Sequence, residues 1–288
     1  MLAKGKNKTS RLLRRARVTQ YEQLTSTGTI RLSFEVIDEH PFDFEPGQFV
    51  AIDCDHATLG YRRSPYCIFS PPNAERSFQL LVRTIPEGPV SLFLSRLEPG
   101  DVISFRGATG VSMIPREPHT ELILLATGVG LGPFNSLIRY LAPNGFKRPL
   151  RLFWGLRLPE DICLTEELNE LAAAYPNFQY QISLSQPPAN WPGLRGRVTE
   201  SAPPLLETLG NKHFYFCGNG AMIAEMSRVL SDLGVPQTLI CEEYYFNFHH
   251  QPDEPALHAI RRRFTARDLF SPFEQIEIFL SNQNHSNS

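Results

Sequence analysis

The chain has 288 residues, a hydrophobic fraction of 42% and a formal net charge of −2, values typical of a globular protein with about two domains. Its apolar runs are no longer than strands, so the sequence predicts no transmembrane helix, and without a recognisable secretory leader it predicts a cytoplasmic protein. The five cysteines lie far apart and form no CxxC pair, which argues against a zinc site, an iron–sulfur cluster or a disulfide framework.

The N-terminal stretch is basic, because residues 1 to 21 contain seven Lys or Arg residues and no acid. A targeting peptide or a nucleic-acid-binding arm would have this composition, but a solvated terminus that leads into a first strand is the favoured interpretation. Three of the arginines fall in that predicted strand: Arg14, Arg15 and Arg17.

Strand signals fill the first half of the chain. From Ile30 to Val36 apolar and polar residues alternate strictly, which predicts a half-exposed antiparallel strand. Further short strands are predicted at residues 49–52, 62–70, 78–84 and 102–105, and a short amphipathic helix at 88–97. Closely spaced strands without long helical patterns indicate a small antiparallel barrel.

A different pattern begins after residue 120. The apolar run Leu122–Ala126 is too continuous for alternation and predicts a strand buried on both faces of a parallel sheet. The glycine-rich turn Thr127–Pro133 follows, and apolar residues at helical spacing continue to Leu141, with Pro133 as the first helical position. This order directs a helix N-terminus at a ligand above the turn, and a dinucleotide phosphate is the usual ligand.

Strands and helices alternate in the rest of the second half. This alternation predicts a doubly wound α/β domain, with ligands at the carboxyl ends of its strands. The predicted strands cover residues 150–155, 178–184, 213–217 and 237–241, and the predicted helices cover 165–175, 204–209 and 221–233.

Six segments, in this order, resemble motifs of the plant-type ferredoxin–NAD(P)H reductase superfamily. They are Pro46–Val50 (PGQFV), Arg63–Cys67, Gly88–Ser91, Thr127–Gly130, Phe216–Ile223 and Ile240–Phe246. The resemblance implies an antiparallel flavin-binding β-barrel followed by a doubly wound parallel-sheet nicotinamide-binding domain, and it spans roughly residues 12–247. The implied domains are 1–117 and 118–247, with a C-terminal extension at 248–288.

The family's flavin motif is Arg-x-Tyr-Ser/Thr, in which the arginine grips the pyrophosphate, the tyrosine packs on the flavin and the hydroxyl approaches N5. The resemblance gives these roles to Arg63, Tyr66 and Cys67. Arg63 precedes Tyr66 by three residues instead of two, which leaves Arg62 as an alternative, and the Cys67 thiol is a weak donor. The implied flavin residues are Arg63, Ser64, Tyr66, Cys67, Val82, Gly88, Val90 and Ser91.

The second domain holds the predicted nicotinamide site, although Val129 stands where the family's glycine turn usually has threonine. The resemblance places Cys217 beside the nicotinamide and brings Glu243 with Tyr245 to the active site. Glu242 with Tyr244 is the alternative register, because alternate residues of a strand point to opposite faces. The implied catalytic residues are Cys67, Cys217 and Glu243. The resemblance also implies further cofactor-binding residues, which are Thr127, Gly128, Gly130, Pro133, Ser185, Gly218, Asn219, Met222 and Tyr245.

The same resemblance implies that the flavin cofactor is FAD rather than FMN and that the reaction needs no metal. NADP-preferring relatives often have Ser-Arg after the corresponding strand, because arginine matches the extra phosphate. Here Gln186 follows Ser185, which favours NADH, while Arg157 and Arg195 leave NADPH open.

The implied function is an FAD-dependent NAD(P)H oxidoreductase that passes electrons to a protein acceptor such as ferredoxin or flavodoxin. Three alternatives stay open: a regulatory nucleotide-binding subunit of a redox complex, the reductase component of an oxygenase, and a free flavin reductase. An acidic acceptor would need a basic rim near the flavin. The candidates for this rim are Arg14, Arg15, Arg17, Arg62, Arg83 and Arg106.

The C-terminal extension lies beyond the resemblance. It contains His249-His250 and a predicted helix over 255–263. The two histidines could bind a metal, but a solvated tail that packs on the barrel through its aromatic residues is the favoured interpretation.

Overall fold

A computed structural model describes residues 12–56, 60–115, 121–246 and 249–264. Contacts group the chain into two compact units. One comprises Met1–Pro118, Gly128–Lys147 and Leu158–Gln179, and the other comprises His119–Thr127, Arg148–Arg157 and Tyr180–Ser288. The boundary near residue 117 between two cofactor domains stays a prediction.

The first six strands form an antiparallel sheet in the order β4-β3-β6-β1-β2-β5. They are β1 Arg14–Gln23, β2 Thr29–Val36, β3 Phe49–His56, β4 Gly60–Cys67, β5 Ser77–Arg83 and β6 Val102–Thr109. An isolated antiparallel bridge between Ile68 and Leu80 joins the chain after β4 to β5, so the sheet closes there. Helix α1, Pro89–Leu94, contacts β3, β4 and β5. The predicted antiparallel barrel is confirmed.

The second sheet is parallel and has the strand order β10-β9-β8-β7-β11-β12. Its strands are β7 Glu121–Thr127, β8 Leu150–Leu156, β9 Phe178–Leu184, β10 Leu194–Arg195, β11 Lys212–Asn219 and β12 Ile240–Phe246. The helices of this half are α2 Leu131–Leu141, α3 Thr165–Ala174, α4 Val198–Ser201, α5 Gly220–Asp232 and α6 Glu254–Arg261. This arrangement confirms the predicted parallel α/β fold. In the described ranges, no helix combines the length and the apolarity needed to cross a bilayer.

Several boundaries differ from the predictions. Helix α2 begins at Leu131, so Pro133 is its third residue, where the missing N–H still belongs to the unpaired first turn. The predicted strand at 237–241 is a 3₁₀ turn at Gln237–Leu239 followed by β12, because pairing with β11 starts only at Ile240. The predicted helix at 204–209 is replaced by α4 and a 3₁₀ turn at Pro203–Leu205.

The described part of the C-terminal extension packs on α5. Leu257 and Ile260 of α6 are buried in the same apolar cluster as Val229 and Leu230 of α5. The expectation that this segment packs on the barrel was therefore wrong for residues 249–264. Residues 265–288, which hold most of its aromatic side chains, lie outside the described residues.

A buried arginine ties a loop to the barrel. The side chain of Arg14 is 2% exposed and donates to both carboxylate oxygens of Asp38, at 2.8 and 3.1 Å. It also donates to the carbonyls of His40 and Pro41, at 2.8 and 3.0 Å. Burial would raise the pKa of Asp38, but the bonds from Arg14 and from backbone N–H groups lower it below its ordinary value. Arg14 therefore cannot belong to an exposed rim, and that part of the rim hypothesis was wrong.

We expect Arg14→Met to lower the free energy of unfolding by about 3 kcal/mol, because it leaves a partly buried carboxylate and two carbonyls without their donor. Urea unfolding followed by circular dichroism measures the change. The matched control is Arg17→Met on the same strand, where a half-exposed guanidinium lies 3.8 Å from Glu35. This control should change stability by less than about 0.5 kcal/mol.

The difference between wild type and Arg14→Met should depend on pH. The lowered pKa of Asp38 means that the stabilisation is present above the unfolded-state pKa and is lost as pH falls through the folded-state pKa. Equal losses for the Arg14 and Arg17 variants, or a difference that grows at acidic pH, would contradict this account.

Candidate functional site

The pairing of β3 with β4 decides which way each residue of the flavin motif faces. The register runs without a shift from Phe49 opposite Cys67 to Asp55 opposite Tyr61, and directly opposed residues share a face of the sheet. Tyr66 and Arg62 are therefore on the face of Val50 and Cys54, which are buried in the barrel core. Arg63 lies on the opposite face, beside Asp53.

Arg63 is held on that opposite face by its neighbours. Its Nε lies 2.5 Å from Asp53 Oδ1, and its guanidinium covers the ring of Tyr61 with 5.3 Å to the ring centroid. Arg106 Nε approaches the same carboxylate at 3.4 Å. Burial would raise the pKa of Asp53, but the hydrogen bonds from Arg63 and Tyr61 lower it. Arg63 is therefore paired with an acid on the face opposite Tyr66. Arg62 is exposed and lies on the same face as Tyr66.

The rest of the motif lies where the strand meets the barrel core. Tyr66 is half-buried against the core, and burial raises the pKa of its hydroxyl. Cys67 is 6% exposed. Ser64, on the Tyr66 face, occupies the position two residues before the tyrosine where the family has its arginine.

The Ser91 hydroxyl forms hydrogen bonds within the turn that precedes α1. Ser91 Oγ accepts from the Ile85 N–H at 3.1 Å and donates to the Gly88 carbonyl at 2.9 Å. A Cβ on Gly88 would lie 2.7 Å from this oxygen, so a larger residue there would displace the Ser91 hydroxyl. Val82 and Val90, two of the implied flavin residues, are buried in the barrel core.

The carboxyl ends of β7 and β11 meet at the predicted nucleotide site. Thr127 Oγ1 accepts from the Asn219 N–H at 2.8 Å. Gly218 has φ +128°, and a Cβ there would collide with Thr127 Oγ1, so another residue would force the strand ends apart. Asn219 Oδ1 accepts from the Ala221 N–H at 2.9 Å and caps α5. Met222, in the first turn of that helix, is buried.

The glycine turn that follows β7 leaves open space for a ligand. Gly128–Gly130 is a 3₁₀ turn, and apart from the two neighbouring residues no described atom lies within 4 Å of the position that a Cβ on Gly128 would take. Helix α2 starts directly after it with no side-chain cap. Uncapped first-turn N–H groups beside open space fit a dinucleotide phosphate.

The register of β11 with β12 separates the two glutamates. Cys217 is fully buried and directly opposite Glu243. Burial raises the pKa of the Glu243 carboxyl. On the other face, the Tyr244 hydroxyl donates to Glu242 at 3.2 Å, and Tyr244 packs against the core that contains α5. This geometry favours the predicted Glu243 register over Glu242. Tyr245 is half-buried where the register shifts between Gly218 and Asn219.

The loop after β9 carries the residues relevant to NADH or NADPH. The exposed Ser185 donates its N–H to Leu156 O at 3.0 Å, and Gln186 donates to Arg157 O at 2.9 Å. Arg157 is exposed beside this loop. Arg195 instead donates to the carbonyls of three loop residues, Pro188, Ala189 and Trp191, so its guanidinium is used inside the loop.

Two of the remaining rim candidates, Arg83 and Arg106, are paired with acidic side chains. Arg83 lies 3.1 Å from Asp161 and also donates to Thr27. Arg15 and Arg17 are exposed on β1, while Arg106 pairs with Asp53.

His250 Nε2 lies 3.4 Å from Glu225 on α5, and the described residues contain no group of three or more metal-ligating side chains.

Sequence reasoning missed two polar residues of α2, Asn135 and Ser136. Both are buried, at 3% and 0% exposure, and they donate to the carbonyls of Phe69 and Ser70 at 2.9 and 2.8 Å. The signal that could have found them is a pair of polar residues inside the apolar stripe of a buried helix.

Two protein-family models match the chain, one in each predicted cofactor-binding region. Residues 15–113 match the oxidoreductase FAD-binding domain, and residues 124–228 match the oxidoreductase NAD-binding domain. The chain is 32% identical over 225 residues to ferredoxin–NADP reductase B of Sorangium cellulosum, covering 74% of this chain and 90% of that protein. The chain belongs to the ferredoxin–NADP reductase family of flavoproteins.

Members of this family are NAD(P)H-dependent flavoprotein reductases, so FAD and a nicotinamide dinucleotide are the cofactors. The toluate 1,2-dioxygenase electron transfer component of Pseudomonas putida is 30% identical over 221 residues, covering 76% of this chain and 64% of its own length. The chain thus spans less than two thirds of that relative.

Solved structures share the fold. A cytochrome P450 reductase from Amycolatopsis aligns with a TM-score of 0.72 at 22% identity, covering 81% of this chain and 70% of its own. A ferredoxin NADP⁺ reductase from Neisseria gonorrhoeae with bound FAD and NADP aligns with a TM-score of 0.68 at 22% identity, covering 81% and 99%.

We expect Glu243→Gln to raise the free energy of unfolding at neutral pH, because an amide carries no desolvated charge. A carboxyl with a raised folded-state pKa loses stability as pH rises through that pKa, so the gain should vanish at acidic pH, where Glu243 is protonated in both states. Urea unfolding at the two pH values measures this. A gain in Glu243→Gln that persists unchanged at acidic pH would refute the assignment.

Proposed function

We propose that this reductase passes electrons from a nicotinamide dinucleotide, through FAD, to a separate protein acceptor. The observation that carries the proposal is the strand-end site, where the buried Cys217 faces Glu243 next to the Thr127–Gly218 contact. FAD, when bound, would supply a hydride acceptor that can release electrons one at a time. The chain's own residues supply binding and orientation for this chemistry.

Each side chain has a specific part in the proposal. Thr127 and Gly218 keep the strand ends close, and Asn219 fixes the start of α5. Cys217 provides a small, fully buried wall that excludes water. Glu243 places a half-buried carboxyl on the same face.

For the flavin, we propose that Tyr66 packs on the ring and that Arg62, rather than Arg63, binds the phosphates. Arg62 shares the Tyr66 face and is exposed, whereas Arg63 is paired with Asp53 on the other face. The hydroxyl of Ser91 is already engaged within its turn, so phosphate binding there would rely on backbone N–H groups.

We expect Arg62→Ala to weaken FAD binding by about tenfold or more, because a charge-assisted contact with phosphate is worth about 1.5–3 kcal/mol. Fluorescence titration of the apoprotein with FAD measures the dissociation constant. The neighbouring Arg63→Ala is the matched control and should change it by less than about threefold. A larger effect for Arg63 would return the role to that residue.

The reduction of bound flavin tests the proposed activity. Under anaerobic conditions, NADH or NADPH should bleach the flavin absorbance of the FAD-reconstituted protein, and stopped-flow spectroscopy gives the rate constants. A protein that binds FAD but is bleached by neither nucleotide would instead support a non-catalytic subunit of a redox complex.

We further propose NADH as the preferred nucleotide, supported by Gln186 at the position where arginine would hold the extra phosphate. The ratio of the two reduction rates tests this preference. Faster reduction by NADPH would contradict it and would make the exposed Arg157 the first residue to replace.

The acceptor is tested by mixing the reduced protein with ferredoxin, flavodoxin or free FMN over a salt series. Transfer to an acidic protein should slow as salt rises, because screening weakens charge steering. Transfer to free FMN alone, without salt dependence, would point to a flavin reductase.

A second candidate acceptor is the oxygenase of a dioxygenase system, which the 30% identity to the toluate dioxygenase component favours. We also propose a cytoplasmic location, as the widely spaced cysteines of the sequence predict.

A further inference from the structure

Two buried side chains of α2 hold the backbone that follows the flavin motif. Asn135 Nδ2 donates to Phe69 O at 2.9 Å, and Ser136 Oγ donates to Ser70 O at 2.8 Å. Only half of the strand ladder is formed at this point, since the Phe69 N–H donates to the Gln79 carbonyl but the Gln79 N–H donates to the hydroxyl of Ser70. The carbonyls of Phe69 and Ser70 therefore depend on α2 for these bonds.

The bonds connect the two cofactor motifs over a short stretch of chain. Phe69 lies two residues after Cys67, and Asn135 lies two residues after Pro133, at the end of the glycine turn. A helix moves as a rigid element, so a shift of α2 against the Phe69–Ser70 backbone would move the glycine turn by the same amount.

Asn135 is also linked by hydrogen bonds to a series of charged side chains. Asn135 Oδ1 accepts from Arg139 Nε at 3.2 Å, and Arg139 donates to Glu167 at 2.8 Å. The other oxygen of Glu167 accepts from Arg31 of β2 at 2.5 Å. The amide of Asn135 is thus held at both ends, which fixes its orientation.

We propose that Asn135 and Ser136 are positioning residues that set the glycine turn against the flavin-motif strand, and through it the alignment required for hydride transfer. This inference rests on the proposed function. A purely structural role, in which the two side chains only satisfy two buried carbonyls, would affect stability but not the rate of hydride transfer in the folded protein.

The test compares Asn135→Leu and Ser136→Ala with Asn177→Leu in the full chain carrying FAD. Asn177 is the matched control because its amide also donates to a backbone carbonyl, that of Phe146, at 2.9 Å, and neither residue belongs to a cofactor motif. Stopped-flow reduction over a range of NADH concentrations separates the dissociation constant from the rate constant of reduction. Ser136→Ala removes only one oxygen atom, so it keeps the test available if Asn135→Leu does not fold.

We expect the dissociation constant to stay within about threefold of wild type while the rate constant of reduction falls by about tenfold or more, since small misplacements of reacting groups have large effects on rate. The control should stay within about twofold in both. A loss confined to nucleotide affinity, or an equal loss of rate in the control, would overturn the inference.

A second measurement does not depend on activity. Hydrogen–deuterium exchange of the FAD-bound protein without nucleotide should show faster exchange in both 66–71 and 128–134 for the two variants, and in neither segment for the control. Faster exchange in only one of the segments would overturn the coupling. If neither nucleotide reduces the wild-type flavin, the proposed function fails, and the exchange result still decides whether these residues couple the two segments.

Discussion

The nucleotide site depends on the close approach of two parallel strand ends. Because Gly218 has no Cβ, Thr127 Oγ1 can accept from the Asn219 N–H, and a side chain at position 218 would break this contact. The contact fixes where β11 ends and α5 begins. It also fixes the position of Cys217, one residue earlier, opposite Glu243 on the neighbouring strand.

The flavin motif depends on a different constraint, which is the need to satisfy buried backbone groups where the barrel strand leaves its ladder. Phe69 and Ser70 are buried, so carbonyls left without a donor would be costly. Asn135 and Ser136 supply the donors from α2. A requirement of stability thereby places the helix that begins at the glycine turn.

Several arginines that the sequence offers as free surface charges are paired with acidic side chains in the fold. Arg14 is buried with Asp38, Arg83 pairs with Asp161, and Arg63 pairs with Asp53. Their engagement leaves less free positive charge than the sequence suggests. An acceptor surface on this protein should therefore be sought by experiment with acidic partners rather than by counting arginines.

The sequence by itself determined the order of the elements and the two cofactor-domain patterns, because strand, glycine turn and helix are encoded by neighbouring residues. It could not decide between Arg62 and Arg63, or between Glu242 and Glu243. The face of a strand residue depends on pairing with a strand that is distant in sequence. The contacts of Asn135 and the packing of α6 likewise depend on tertiary structure, since their partners are brought close by folding alone.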